Sequence, residues 1–149
     1  MDAVEFARAV ASYVHSGQKD KAGKPYIMHP AAVSEAVVSD EEKIVALLHD
    51  VLEDTFVSEA TIRNLFGDTV ADAVVTLTKK RGENYADYIR RVSNNPLSKA
   101  VKLADLEHNM DLSRLNEIQE ADLERIKKYE DAKKSSLGYS IFSNRDKWE

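Results

Sequence analysis

Residues Ala46 to Thr55 read ALLHDVLEDT, an apolar pair beside His49-Asp50, followed by Glu53-Asp54. Read as a helix, the stretch spaces His49 from Glu53 and Asp50 from Asp54 by four residues, so these polar groups project from one side. Val45, Leu48 and Leu52 then face a core from the other side. Four ionisable groups beside an apolar face are costly to desolvate, and a divalent cation would compensate. One nitrogen donor among several carboxylates suits Mn, Fe or Mg better than a thiolate-seeking metal. A His-Asp dipeptide alone is also what an exposed acidic helix turn looks like, so further ligands must come from elsewhere in the chain.

Outward from this stretch the pattern is helical throughout. Asp2 caps a first helix with Val4, Ala7, Val10, Ala11 and Val14 in one stripe, ending near His15-Ser16-Gly17. His15 stands where an imidazolium would offset the helix dipole. After a polar loop from Gln18 to Lys24, Pro25-Tyr26-Ile27-Met28-His29-Pro30 reads as a rigid, extended lead-in to a helix bearing Val33, Ala36 and Val37. Ser39 or Asp40 opens the central helix, with Glu42 in its first turn. Ser58 caps a short helix containing Ile62 and Leu65 and stopped by Gly67. Asp68 starts the next, with Val70, Val74 and Leu77 inward.

Thr78 to Gly82 forms a basic loop whose Lys79, Lys80 and Arg81 read as solvated. A helix from about Asn84 carries Tyr85, Tyr88, Ile89 and Val92. Pro96 begins a long helix through Leu115, apolar at Val101, Leu103, Leu106 and Met110. The last helix is expected from about Ala121 to Leu137, with an irregular tail over 138–149 whose Tyr139, Ile141, Phe142 and Trp148 suggest packing. The expectation is one all-α domain over residues 1–149, a helical bundle.

Composition narrows the function. The chain has 149 residues, 43% hydrophobic and 32% charged, enough for one sizeable core. No apolar run is long enough to span a bilayer, and the N-terminus lacks the order of a secretion signal. No cysteine is present, which excludes disulfides, thiolate zinc sites and a cysteine nucleophile, and is compatible with a cytoplasmic protein. A net charge of −5 without a basic arm argues against nucleic acid as partner and leaves a small molecule. Association into a homo-oligomer stays open.

Two further places offer ligands. His29 is held by the proline that follows it. Asp105 lies in VKLADLEHNMD with Lys102, His108 and Asn109 on the same side of its helix. His29, His49, Asp50 and Asp105 would give two imidazoles and two carboxylates, leaving coordination positions for water and substrate.

In these motifs the chain resembles the HD superfamily of metal-dependent phosphohydrolases, whose ligand order is H…HD…D. It is closest to the RelA/SpoT-type hydrolase domain, which removes the 3′-pyrophosphate of (p)ppGpp. HSGQ…KAGKPYIMHP, ALLHDVLEDT, FGDTVADAVVTLTK and VKLADLEHNMD match in order. The resemblance implies an all-α HD-type fold, metal ligands His29, His49, Asp50 and Asp105, and Mn²⁺ as the ion. Glu53 and Asp54 match the catalytic acidic pair, which would order the attacking water and move its proton. Lys21, Lys102, Asn109 and Tyr129 match substrate-contacting positions, and His108 would hydrogen-bond behind the ligands or pack.

With no synthetase domain following, the implied protein is a stand-alone alarmone hydrolase of the stringent response. Where the family has Arg-Lys before PYI, this chain has Asp20-Lys21, losing a cation that stacks on guanine. Leu106 and Asp111 likewise replace arginines. Those departures keep two alternatives: the same site acting on another nucleotide or phosphorylated metabolite such as NADPH, or a non-catalytic nucleotide-binding sensor.

Overall fold

The computed structural model describes residues 1–111 and 119–135, so the expected helix end at Leu137 and the aromatic tail lie outside the described residues. Nine helices follow in order among them: α1 (Ala3–Val14), α2 (Met28–Ala36), α3 (Asp40–Leu48), α4 (Val51–Asp54), α5 (Glu59–Phe66), α6 (Asp68–Leu77), α7 (Tyr85–Ser93), α8 (Pro96–Asn109) and α9 (Glu120–Ser135). The expected all-α class is borne out; beyond helices, only one isolated antiparallel bridge, Lys19 to Pro25, is found among the described residues. No described helix is long and apolar enough to cross a membrane.

The starts of α1, α3, α5, α7 and α8 are set by side chains that satisfy the free N–H groups of a first turn. Asp2 accepts from the Glu5 amide, Ser58 from Thr61, Asn84 from Asp87 and Asn95 from Ser98. Ser39 and Glu42 form a reciprocal capping box on α3. The centre is α3, whose Ile44 to Leu48 are all buried and which packs on α1, α2, α6 and α8. Val33, Val70, Val74, Ile89, Val92, Val101 and Leu106 complete the core around it.

The structure departs from the expected elements at four places. Residues 46–55 are two helices, α3 and α4, parted at His49 and Asp50. Ile27 is helical rather than extended (φ −54°, ψ −24°), and α2 begins at Met28, so Pro30 is its third residue and still needs no amide partner. Ala36 and Leu65 face outward rather than into the core. Finally, α8 ends at Asn109, capped by Met110, well short of Leu115.

Gly67 closes α5 and precedes α6 with φ +89° and ψ 171°, a region essentially reserved for glycine. An added Cβ there would meet no atom within 4 Å, so any penalty is backbone strain alone. Gly67→Ala is therefore expected to lower stability by about 1–3 kcal/mol. Urea melts should show a lower midpoint at unchanged slope; an unchanged midpoint would mean that the joint relaxes freely.

Candidate metal centre and cleft

The break after α3 is what assembles the site. The His49 Nδ1 lies 2.5 Å from the Ala46 carbonyl oxygen, and the His49 amide turns toward that same oxygen. Side chain and backbone thus compete for one acceptor and end the helix. On a continuous helix His49 and Asp50 would point about 100° apart. Here His49 Nε2 comes within 3.1 Å of Asp50 Oδ2 and 3.3 Å of Asp105 Oδ1.

His29 enters from α2, with Nε2 2.7 Å from Asp105 Oδ1. One donor atom each from His29, His49 and Asp105 lies within 4.8 Å of the others, and all three residues are buried. Asp50 stands beside this trio, against His49, and accepts a hydrogen bond from the Tyr26 hydroxyl. Behind His29, its Nδ1 lies 2.6 Å from His108 Nδ1, the two rings stacked with centroids 4.8 Å apart.

A carbonyl only accepts, so His49 Nδ1 carries a proton. In a neutral ring Nε2 is then a bare lone pair. It is buried, makes no well-aligned hydrogen bond, and faces two carboxylates. Acceptor facing acceptors at 3 Å is repulsive unless a cation intervenes. A divalent ion fits this donor set of imidazoles and carboxylates without thiolate. Burial pulls the His49 pKa down, but Asp50 and Asp105 reverse this and hold it well above the usual histidine value.

Burial opposes ionisation of Asp105 as well, yet the Lys102 ammonium, the hydrogen bond with His29 and the neighbouring His49 keep it well below the normal carboxylate range. Burial similarly opposes ionisation of Asp50, and His49 brings it to about 2. Lys102 Nζ donates to Asp105 Oδ2 at 2.9 Å, and Asn109 Nδ2 donates to Asp105 Oδ1 at 3.1 Å. Two of the four side chains expected at the substrate, Lys102 and Asn109, are therefore hydrogen-bonded to Asp105 here. Both still line the cleft.

That cleft, about 510 Å³, has His29, Asp50 and Asp105 in its lining. Glu53 and Asp54 on α4 line it beside them. Burial, then the neighbouring carboxylates, raise the pKa of both. Lys21 stands in the wall with its ammonium 3.9 Å from Asp122, and Tyr129 faces it from α9. The sequence reading missed Tyr26 and Arg125, both in the lining. Arg125 lies one turn before Tyr129 on the same helix side, and that spacing could have revealed it.

Asp20 lines the cleft and shapes the loop that carries it. Its Oδ1 accepts from the Ala22 amide at 2.9 Å and the Lys24 amide at 3.0 Å. This is an Asx-type turn that shapes the cleft wall. His15 stands at the C-terminal end of α1, as expected, where it is the cap; it is buried, with Nδ1 2.9 Å from Gln18 Oε1.

The model of the HD domain family matches residues 7–136. The GTP pyrophosphokinase of Myxococcus xanthus is 34% identical over 74% of this chain. The bifunctional (p)ppGpp synthase/hydrolase SpoT of Escherichia coli K12 is 35% identical over 70% of it. The alignments span 17% of each of those relatives' length. Among solved structures, a metazoan ortholog of SpoT, described as hydrolysing ppGpp and acting in starvation responses, superposes with a TM-score of 0.70 at 26% identity. That match covers 93% of this chain and 90% of the other.

Proposed function

The chain belongs to the HD domain family, and from that membership we propose that it is a divalent-metal-dependent phosphohydrolase that removes the 3′-pyrophosphate of (p)ppGpp. The observation that carries this reading is the meeting of His29, His49 and Asp105 within 4.8 Å, at the edge of a cleft lined by His29, Asp105, Glu53 and Asp54. Relatives named for (p)ppGpp hydrolysis support the substrate.

His29, His49, Asp50 and Asp105 would hold the ion, Mn²⁺. When bound, it supplies charge that polarises a phosphoryl oxygen and makes water a better nucleophile at neutral pH. Glu53 and Asp54 orient the attacking water and accept its proton as the water oxygen bonds to the phosphorus next to the 3′ oxygen. The phosphorus–oxygen bond to the 3′ oxygen breaks, that oxygen leaves with the nucleotide and takes up the proton, and pyrophosphate carrying the water oxygen is released. Their raised pKa values suit a base working nearer neutrality. Lys21 and Arg125 offer cations to the phosphates, and Tyr129 an aromatic surface. Lys102 keeps Asp105 ionised and aimed, with further N–H groups to give to the ligand.

Asp20 favours a second reading of the substrate. Oδ1 of its carboxylate accepts from two backbone amides, and an aspartate at this point of the loop offers no guanidinium to stack on a base. Another nucleotide or phosphorylated metabolite, including a nicotinamide dinucleotide phosphate, then competes with the alarmone for the same chemistry. A pure sensor is disfavoured, because binding alone has no use for the Glu53–Asp54 pair. The test is turnover of ppGpp, GTP, ATP and NADPH with Mn²⁺, with and without EDTA. Metal-dependent release of pyrophosphate from ppGpp is expected; faster turnover of another compound selects the second reading, and no turnover at all rejects both.

His108 bears on the metal. For His29 to ligate through Nε2, its proton must sit on Nδ1 and be donated to His108 Nδ1. His108→Ala removes that acceptor, and Mn²⁺ affinity is expected to fall about 10–100-fold in calorimetric titration. Wild-type affinity in the variant would reduce His108 to a packing residue.

A further inference from the structure

A four-residue helix cannot sustain itself, and α4 (Val51–Asp54) carries both acids of the cleft. The Asp54 carbonyl stands at its C-terminal end, where helical carbonyls lack partners within the helix. The Gln18 side-chain amide supplies one: Nε2 donates to Asp54 O at 2.9 Å, across 36 residues of sequence. Because that acceptor fixes which side of the amide is NH₂, Gln18 Oε1 accepts from His15 Nδ1–H at 2.9 Å.

His15 is itself immobile. Its backbone N–H caps α1 onto Ala11 O, the residue is 2% exposed, and its ring lies 5.0 Å from that of Tyr26. The other ring nitrogen, Nε2, is buried without a hydrogen-bond partner. Burying a polar nitrogen without a hydrogen-bond partner is unfavourable, and an apolar residue would fill this space at less cost. The imidazole is there for what Nδ1 does.

The backbone of Gln18 extends the tie. Its carbonyl accepts the Tyr26 amide at 2.8 Å, and the Tyr26 hydroxyl donates to Asp50, the residue that opens α4. One segment, Gln18 to Tyr26, thus grips both ends of α4, and the same segment carries Lys19 and Lys21 into the cleft wall. We propose that Gln18, oriented by His15, is a positioning residue that fixes α4 so that Glu53 and Asp54 face the reacting centre. This rests on the reading of that pair as the proton-handling groups.

The test combines kinetics with a readout independent of turnover. Gln18→Ala is expected to lower kcat on ppGpp about 10–100-fold, the effect of a small misplacement of reacting groups. KM and Mn²⁺ affinity should stay within about threefold. Amide hydrogen exchange should quicken over residues 51–57 and stay unchanged in α1 and α3. His15→Asn keeps an N–H donor in nearly the same place and should retain kcat within about threefold, whereas His15→Leu should match Gln18→Ala. An unchanged kcat in Gln18→Ala, or a loss of kcat that merely follows a loss of Mn²⁺ affinity, overturns the proposal. Should the wild type turn over no nucleotide, the functional reading falls on its own. Exchange then decides the clamp: faster exchange over 51–57 in Gln18→Ala upholds it and unaltered exchange sinks it.

Discussion

Asp105→Asn is expected to abolish Mn²⁺ binding in the micromolar range and to reduce kcat/KM on the preferred nucleotide about a thousandfold or more. The geometry makes Asp105 the shared point of the centre. Its Oδ1 receives His29 at 2.7 Å and Asn109 at 3.1 Å and lies 3.3 Å from His49, while Oδ2 holds Lys102. Removing its charge would take away a proposed ligand and leave the Lys102 ammonium beside the others, so an ion would meet a repelling cation in place of a carboxylate. If the ion contributes about 4 kcal/mol to the transition state, its loss corresponds to about a thousandfold in rate. Either substitution breaks the buried ion pair with Lys102, at a cost of about 3–5 kcal/mol; asparagine is preferred to alanine because it keeps the side-chain volume and an oxygen that accepts from Lys102, and a melting curve shows that the variant is folded. A folded Asp105→Asn protein that binds Mn²⁺ as the wild type does would show that the ligand set is wrong.

The same residue shows how far the sequence could be read. Spacings of three and four put Lys102 and Asn109 on the side of Asp105, but periodicity does not tell whether such neighbours turn to a ligand or to each other. In the structure both bond to Asp105, and a carboxylate buried to 4% exposure needs them there. The helices were legible because their starts carry capping side chains at Asp2, Ser39, Ser58 and Asn84 and their faces a clear apolar stripe.

The break at His49 was not legible. ALLHDVLEDT holds no glycine or proline, and what ends α3 is a histidine nitrogen reaching back to its own helix. The meeting of positions 29, 49 and 105 was likewise beyond any spacing rule. Residue chemistry and family resemblance suggested it, and packing of α2 and α8 on α3 brings it about. Tyr26 and Gln18 were passed over because their partners, Asp50 and the Asp54 carbonyl, lie 24 and 36 residues away.

Glu53→Gln separates catalysis from architecture most cleanly. As the proton acceptor, Glu53 is expected to account for about 10²–10⁴-fold in kcat, and glutamine cannot take a proton. It is not among the proposed ligands, so Mn²⁺ affinity should change little. Stability should move the opposite way to activity. Burial, then Asp54 and Asp50, raise the Glu53 pKa above that of the unfolded chain. For a carboxylate raised on folding, its contribution to stability is fully present below the unfolded pKa and is lost as pH climbs through the folded one. At neutral pH the ionised Glu53 is thus a burden on the metal-free protein, and the neutral amide relieves it. The metal-free variant should therefore melt at a higher temperature than the wild type at pH 7, with the difference vanishing at pH values below the unfolded carboxylate pKa. A variant that is slower but less stable at pH 7 would mean that Glu53 holds the cleft together; one that keeps its rate would remove it from the proton transfer.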